Sequence, residues 1–296
     1  MTMHKSGFVN IVGNPNVGKS TLMNTLVGER ISIITSKAQT TRHRIMGIVN
    51  GEDFQIVYSD TPGVLKPNYK LQESMLGFST SALKDADILL YVTDTVENGM
   101  KNSDFVEKVK KQQAPVLLII NKIDLTDQQK LEALVAQWKE ILPDAEIIPI
   151  SAANKFNVDY VLKRIKDLLP ECPPYFEKDA LTDKPARFFV TEIIREKILT
   201  NYDREIPYAV EVVVESFKES DDLIKINAVI NVERDTQKGI IIGKGGNMLK
   251  KVGTEARKDI EAFFGKKVFL EMFVKVEKDW RNKELKLKSF GHDADI

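Results

Sequence analysis

Residues 13–20 read Gly13-Asn14-Pro15-Asn16-Val17-Gly18-Lys19-Ser20, directly after the apolar run Phe8-Val9-Asn10-Ile11-Val12. A polyphosphate needs several donors converging on it with no side chains in the way. Glycines at both ends of the loop let backbone N–H groups curl around the phosphates, Lys19 reaches the terminal ones, and the Ser20 hydroxyl can ligate Mg2+. The stretch that follows, Thr21-Leu22-Met23-Asn24-Thr25-Leu26-Val27, has helical character. The spacing therefore predicts a strand–loop–helix unit with the phosphates at the helix N-terminus, and Thr21 joins the nucleotide-binding set.

Three further segments select the nucleotide. Asp60-Thr61-Pro62-Gly63 follows Ile56-Val57-Tyr58, which sets Asp60 at a strand end. There it can hold Mg2+ through water while the Gly63 N–H senses a γ-phosphate. Asn121-Lys122-Ile123-Asp124 closes another apolar run. A carboxylate at Asp124 accepts from both the ring N–H and the exocyclic amine of guanine, whereas adenine would leave it unpaired. Ser151-Ala152-Ala153 caps the last strand and offers backbone N–H groups to the guanine oxygen. Each segment alone is weak. Their order, each at the C-terminal end of a strand, predicts a GTP-hydrolysing domain. A metabolic kinase built on the same loop would need a phosphoryl-acceptor site and would tolerate adenine, which Asn121 and Asp124 argue against.

The segment Ala38-Gln39-Thr40-Thr41-Arg42-His43-Arg44 resembles the first switch of the translation-factor-like class of small G proteins. That resemblance implies that Thr41 reaches Mg2+ in the GTP state, with Thr40 as the neighbouring alternative. The expected metal set is then Ser20, Thr41 and Asp60, and the expected catalytic set Lys19, Thr41 and Gly63. Ras-like proteins carry a water-orienting glutamine after the DxxG glycine, but position 64 here is Val64. Unaided hydrolysis is therefore expected to be slow, on the order of 10⁻⁴ to 10⁻² s⁻¹. Asn16 matches an asparagine that supports a monovalent cation in related G proteins, so K+ near Asn16 is a further expectation.

The elements that must position these residues are visible as texture. Up to about residue 169 short apolar runs alternate with amphipathic stretches. Strands are predicted at Phe8–Val12, Gly47–Val49, Phe54–Ser59, Ile88–Thr93, Val116–Asn121 and Glu146–Ile150, with helices at Asp127–Ile141 and Val158–Leu169. Runs such as Ile88-Leu89-Leu90-Tyr91-Val92 fit strands covered on both faces, hence an α/β fold with a mostly parallel sheet. Pro170-Glu171-Cys172-Pro173-Pro174 cannot continue a helix and reads as a stiff joint over 170–185.

A chain of 296 residues with no formal net charge suits two soluble domains and gives no global argument for nucleic acid. No run of about 18 apolar residues is present, and Met1–Gly7 contains no signal-peptide core. The lone Cys172 excludes an internal disulfide and suggests a reducing, cytoplasmic setting. His4, His43 and His292 lack ligand spacing, so no zinc site is expected.

Beyond the joint, Val190, Ile194 and Ile198 predict an amphipathic helix. Two alternating strands follow: Val210, Val212 and Val214 oppose Glu211 and Glu215, and Ile224 through Val232 alternate with Lys225, Asn227, Asn231 and Glu233. Next come a glycine turn at Gly243-Lys244-Gly245-Gly246, a helix through Phe264, and a last strand over Val268–Val276. A GxxG in this order, crowded by Arg234, Lys238, Lys244, Lys250, Lys251, Arg257 and Lys258, resembles a KH module of type II-like α+β fold. Such a module clamps about four nucleotides of single-stranded RNA. Ile242, Gly243, Lys244, Gly245, Gly246, Lys250, Lys251 and Arg257 are the expected RNA-binding residues, while Ile241 and Ile242 are equally plain core positions.

A G domain over 1–169, the joint, then Ile194-Arg195-Glu196-Lys197 and the GxxG module over 186–296 together resemble the bacterial Era family along essentially the whole chain. The resemblance implies a ribosome-assembly GTPase using GTP/GDP and Mg2+, and a monomer is expected. Its KH domain would bind the 3′ end of 16S ribosomal RNA, and its GTP state would favour that binding. The coupling expected from the joint is a movement of the second domain across Pro173-Pro174 as GTP and Mg2+ order the loops around Thr41 and Asp60–Val64. The family is also associated peripherally with the inner membrane. No anchor is visible, and the mixed-charge stretch Trp280–Lys288 reads as an RNA or protein contact. A membrane-associated signalling GTPase whose second domain binds protein is the other open reading.

Overall fold

The computed structural model describes residues 4–96 and 102–293. The expectations for Met1–Met3, and for the last three residues of the second domain, lie outside that range. The described chain divides into a first unit, residues 4–68 and 72–183, and a second, residues 69–71 and 184–293.

The first unit runs β1 (Lys5–Gly13), α1 (Lys19–Val27), β2 (Ile45–Asn50), β3 (Phe54–Asp60), α2 (Lys70–Ser81), β4 (Ile88–Asp94), α3 (Ser103–Lys110), β5 (Val116–Asn121), α4 (Gln128–Ile141), β6 (Glu146–Pro149) and α5 (Val158–Leu168). Its strands form one sheet in the order β2-β3-β1-β4-β5-β6. Every pairing is parallel except β2 with β3. Alternate residues of the continuous apolar runs feed two cores. Val9, Ile11, Leu90, Val92 and Ile119 meet Leu22 and Met23 of α1 and Val161 and Ile165 of α5. Val12, Leu89, Tyr91, Leu118 and Ile120 meet Phe105 of α3 and Trp138 of α4 on the other face. Each such side chain removed from water contributes about 1.5–3 kcal/mol, which is why these runs become central strands. Asp127 starts α4 by accepting a hydrogen bond from the Lys130 N–H at 2.9 Å.

Residues 170–183, expected as part of a joint, belong to the first unit. Cys172 N–H donates to the His4 carbonyl at 3.1 Å and Ile48 N–H to the Leu181 carbonyl at 2.8 Å. The buried Gln55 side chain accepts from the N–H groups of Tyr175 and Phe176 at 2.7 and 3.0 Å. The proline-rich segment thus supplies partners to backbone groups of edge strand β2, which would otherwise be exposed.

The second unit runs α6 (Ala186–Asn201), α7 (Ile206–Ala209), β7 (Glu211–Glu219), β8 (Leu223–Val232), α8 (Asp235–Ile242), α9 (Asn247–Phe264), β9 (Lys267–Val276) and α10 (Glu284–Ser289). Its sheet order is β7-β8-β9, antiparallel then parallel. Val190, Ile194 and Ile198 of α6 pack with Val252, Ala256 and Ile260 of α9 onto the β8 stripe Ile224, Ile226, Ala228, Ile230 and Val232.

Three features differ from expectation. Helix α8 occupies what reads in the sequence as an apolar lead-in to the glycine turn; the Gln237 side chain starts it by accepting from the N–H groups of Glu233 and Arg234. Glu211 is buried rather than facing water, because His292 lies 3.2 Å from its carboxylate. Trp280 is no surface contact. It is fully buried, its indole N–H donates to the Ala209 carbonyl at 3.1 Å, and its ring stands edge-on to Phe290. Among the described residues no helix is long and apolar enough to cross a membrane.

Candidate functional site

The sheet order reverses direction around β1, with β3 on one side and β4 on the other, and a crevice at such a reversal is where α/β sheets take ligands. The loop leaving β1 lines a cleft of about 500 Å3 together with the 33–41 segment, Gly63 and Lys122. Gly18 sits at φ 94°, and a Cβ there would lie 2.2 Å from the Asn121 side chain. Only glycine permits that approach. The Lys19 ammonium is nearly buried and donates to the Asn14 carbonyl at 2.8 Å.

Three oxygen-bearing side chains converge at the start of α1. Ser20 Oγ donates to Asp60 Oδ2 at 2.7 Å and lies 3.0 Å from Thr41 Oγ1, which donates to the same carboxylate oxygen at 3.4 Å. Asp60 is fully buried and its Oδ1 has no hydrogen-bond partner. Burial pushes its carboxyl above the usual carboxylate range, opposed by the Lys19 charge and by the Ser20 and Thr41 hydroxyls. A buried orphan carboxylate oxygen beside two hydroxyls is the donor set a hard divalent cation takes, so these residues fit Mg2+. The Thr40 hydroxyl instead donates to the Lys37 carbonyl and meets Thr35, both at 2.6 Å. Thr41, not Thr40, is the threonine brought to the cluster.

On the base side, Asn121 is a scaffold. Its Nδ2 donates to the Val17 carbonyl at 2.9 Å and its Oδ1 accepts from the Ala152 N–H at 3.0 Å. Lys122 pairs with Asp94 at 2.8 Å and reaches the Asn16 carbonyl. Asp124 is exposed, and among the described residues its carboxylate has no hydrogen-bond or ion-pair partner. The N–H groups of Ser151 and Ala152, expected to meet the guanine oxygen, are both engaged within the protein, by the Phe156 carbonyl and by Asn121. Ala153 is exposed, and its N–H has no backbone partner among the described residues.

In the second unit, Gly243, Gly245 and Gly246 all have positive φ, at 73°, 61° and 77°. A Cβ on Gly243 would lie 2.8 Å from Met248, so the turn between α8 and α9 needs glycine there. Beside it lies an open groove of about 380 Å3 between α9 and β9, lined by Gly246, Leu249, Lys250, Thr254, Arg257 and Met272, among others. One wall is cationic and the floor is aliphatic, which suits phosphates on one side and bases on the other.

Family models agree with both halves. One described as a 50S ribosome-binding GTPase matches residues 8–122, and a KH-domain model matches residues 205–281. The chain is 45% identical over 297 residues to GTPase Era of Staphylococcus haemolyticus (strain JCSC1435), covering 100% of this chain and 99% of the relative. It is 44% identical over 291 residues to GTPase Era of Ruminiclostridium cellulolyticum (strain ATCC 35319 / DSM 5812 / JCM 6584 / H10), covering 98% of each. The chain belongs to the Era family. Among solved structures it resembles Era in complex with MgGDPNP and nucleotides 1506–1542 of 16S ribosomal RNA, with a TM-score of 0.94, 38% identity, and 98% and 99% of the two chains covered. It also resembles an Aquifex aeolicus Era variant bound to GDP.AlF4-, with a TM-score of 0.93, 38% identity and the same coverage.

In this Era-family chain Pro15, Asn16, Gly18, Lys19, Ser20, Thr21, Gly63 and Lys122 line one crevice, Asp60 is bonded to Ser20 and Asn121 to the Val17 carbonyl beneath it, and Gly13, Asn14, Thr61, Pro62 and Asp124 are not part of its lining. The RNA set is only partly gathered. Gly246, Lys250 and Arg257 line the groove and Lys244 is exposed at the loop tip, whereas Lys251 turns toward Glu255 and Ile242 is half-buried away from the lining. Leu249, Thr254, Leu270 and Met272 line the groove without having been expected there. The spacing 246, 250, 254, with 249, 253, 257 beside it, marks one helix face and is the signal that finds Leu249 and Thr254, whereas Leu270 and Met272 come from β9 and only the fold brings them there.

Proposed function

We propose that this Era-family chain hydrolyses GTP with Mg2+ at the crevice of its first unit. In the groove of its second, it binds single-stranded RNA at the 3′ end of 16S ribosomal RNA and acts in small-subunit assembly. The observation that carries the enzymatic half is the convergence of Ser20 and Thr41 on Asp60, whose second carboxylate oxygen is buried without a partner. Mg2+ held there would neutralise charge on the β- and γ-phosphates. Residues Gly13–Thr21 supply the phosphate cradle, Lys19 its cation, Thr61 and Pro62 the turn into the second switch, and the Gly63 N–H a donor for the γ-phosphate. Asn121 and Lys122 shape the base pocket, Asp124 reads guanine, and Ser151 and Ala152 hold the adjoining loop.

Val64 is buried and has no side-chain amide, so nothing at that position orients the attacking water and unaided turnover is slow. Asn16 donates from its amide nitrogen to the Ser36 carbonyl at 3.0 Å, which leaves its amide oxygen as the one side-chain atom it can offer a cation. K+ taken by that oxygen as an aid to hydrolysis is part of the reading, and equal turnover in K+ and Na+ would remove it. The reading extends to a monomer in the cytoplasm with peripheral contact at the membrane's inner face, checked by light scattering and by fractionation of cells.

The two halves separate in one experiment. Changing Lys244→Asp together with Gly245→Asp puts two anions where phosphates would lie. RNA affinity is expected to fall about 100-fold or more, with GTP turnover measured without RNA unchanged. Undiminished RNA binding would overturn the groove as the RNA site.

A further inference from the structure

Asn102 lies outside every nucleotide-binding motif, yet its side chain touches the phosphate loop and the residue that follows Asp60–Gly63. It sits in the left-handed region at φ 56° immediately before α3, a conformation asparagine tolerates. Its Nδ2 donates to the Asn14 Oδ1 at 2.6 Å and to the Val64 carbonyl at 2.9 Å. A backbone carbonyl only accepts, so the Asn102 amide must turn its NH2 toward Val64. Asn14 must then present its oxygen, and both amides have a single orientation.

These contacts complete a clamp on the second switch. Val64 N–H donates to the Gly13 carbonyl at 3.1 Å, and Gly63 lies against the loop so closely that a Cβ would come 2.6 Å from Pro15 Cα. One side of Val64 is thus tied to the phosphate loop by backbone and the other by Asn102. The same Asn14 receives the Lys19 ammonium on its carbonyl. With Val64 in place of a water-orienting amide, presentation of the γ-phosphate depends on where the Gly63 backbone is held.

We propose that Asn102 is a positioning residue for GTP hydrolysis, fixing the Gly63–Val64 backbone to the phosphate loop through Asn14; this rests on the reading of the crevice as a GTPase site. The test is single-turnover hydrolysis at saturating GTP, with GDP affinity and thermal midpoint measured alongside, for Asn102→Ala and Asn102→Asp. Asp matches Asn in shape and in its suitability at a helix start but, ionised, cannot donate. Both variants are expected to lose about tenfold in rate, with the Ala variant's GDP affinity within about twofold of the original and the Asp variant's midpoint unchanged. An Asp variant that hydrolyses at the original rate overturns the proposal, as does an Ala variant that loses GDP affinity in proportion to rate. An unmodified chain that does not hydrolyse GTP at all fails at the GTPase reading, and the proposal falls with it.

Discussion

In the proposed reading, Asn121 and Asp124 divide the recognition of the base between them. Asn121 is buried with one amide N–H and its amide oxygen bound inside the protein, so it builds the pocket and keeps one N–H for a ligand. Asp124 is exposed, and among the described residues nothing engages its carboxylate, which suits it to the proposed role of reader. Replacing Asp124→Asn exchanges one acceptor for a donor. GTP affinity should fall by a factor on the order of 10² or more, because the amide NH2 then faces a guanine donor. Xanthosine triphosphate carries a carbonyl at that place and should gain relative to GTP. Competition against a fluorescent nucleotide reads both, and an unchanged GTP preference would remove Asp124 from the role. Residues of this kind were legible from sequence because each motif carries its chemistry within a few positions. Asn102 was not, since nothing local marks an asparagine before a helix as a partner of Asn14 some ninety residues earlier. The choice between Thr40 and Thr41 was likewise tertiary: both offer the same hydroxyl, and only the fold brings one of them to Asp60.

At the scale of elements, the strands of the first unit could be read because a strand covered on both faces is an unbroken apolar run, which water tolerates nowhere else. Helix α8 could not. Only Ile241 of Ile240-Ile241-Ile242 points into the core, the helix has 8 residues, and its glycine and β-branched content favour other conformations. Position 211 was misread because strand alternation assumes water on one face, and His292 covers that face locally. The attachment of α5 to β6 allows a quantitative expectation. Arg164 donates from Nε and Nη2 to both Glu146 oxygens at 2.9–3.0 Å, and these bonds hold the Glu146 carboxyl below its usual range. A depressed carboxyl stabilises the fold above its unfolded value, near about 4.3, and the contribution fades as pH falls through the folded value. The pair is partly exposed, so solvent screening keeps its contribution at neutral pH small. Arg164→Met should lower the urea midpoint at pH 7 while leaving it almost unchanged near pH 3. Equal losses at both values would mean that packing, not charge, joins the two elements.

For the molecule as a whole, the cores decide how it should melt. The clusters around β1 and β4 are drawn entirely from the first unit, and the cluster around β8 entirely from the second. A chain with two such cores need not unfold as one cooperative step. GDP with Mg2+ binds the first unit in the proposed reading, and a ligand that binds only the folded form stabilises it by RT ln(1 + [L]/Kd), about 2.7 kcal/mol at 100 times Kd. For a unit of some 150–250 residues that is a rise of about 5–11 °C in its own midpoint. Trp280, the fully buried anchor of the C-terminal segment, belongs to the second unit. Removing it as Trp280→Ala costs about 3–5 kcal/mol there. Calorimetry should therefore resolve two transitions that answer to different perturbations: GDP moves one upward, Trp280→Ala moves the other downward, and neither treatment moves both. A single transition displaced by each would mean that the two cores share their stability, and that nucleotide in the crevice is felt directly in the fold that holds the RNA groove.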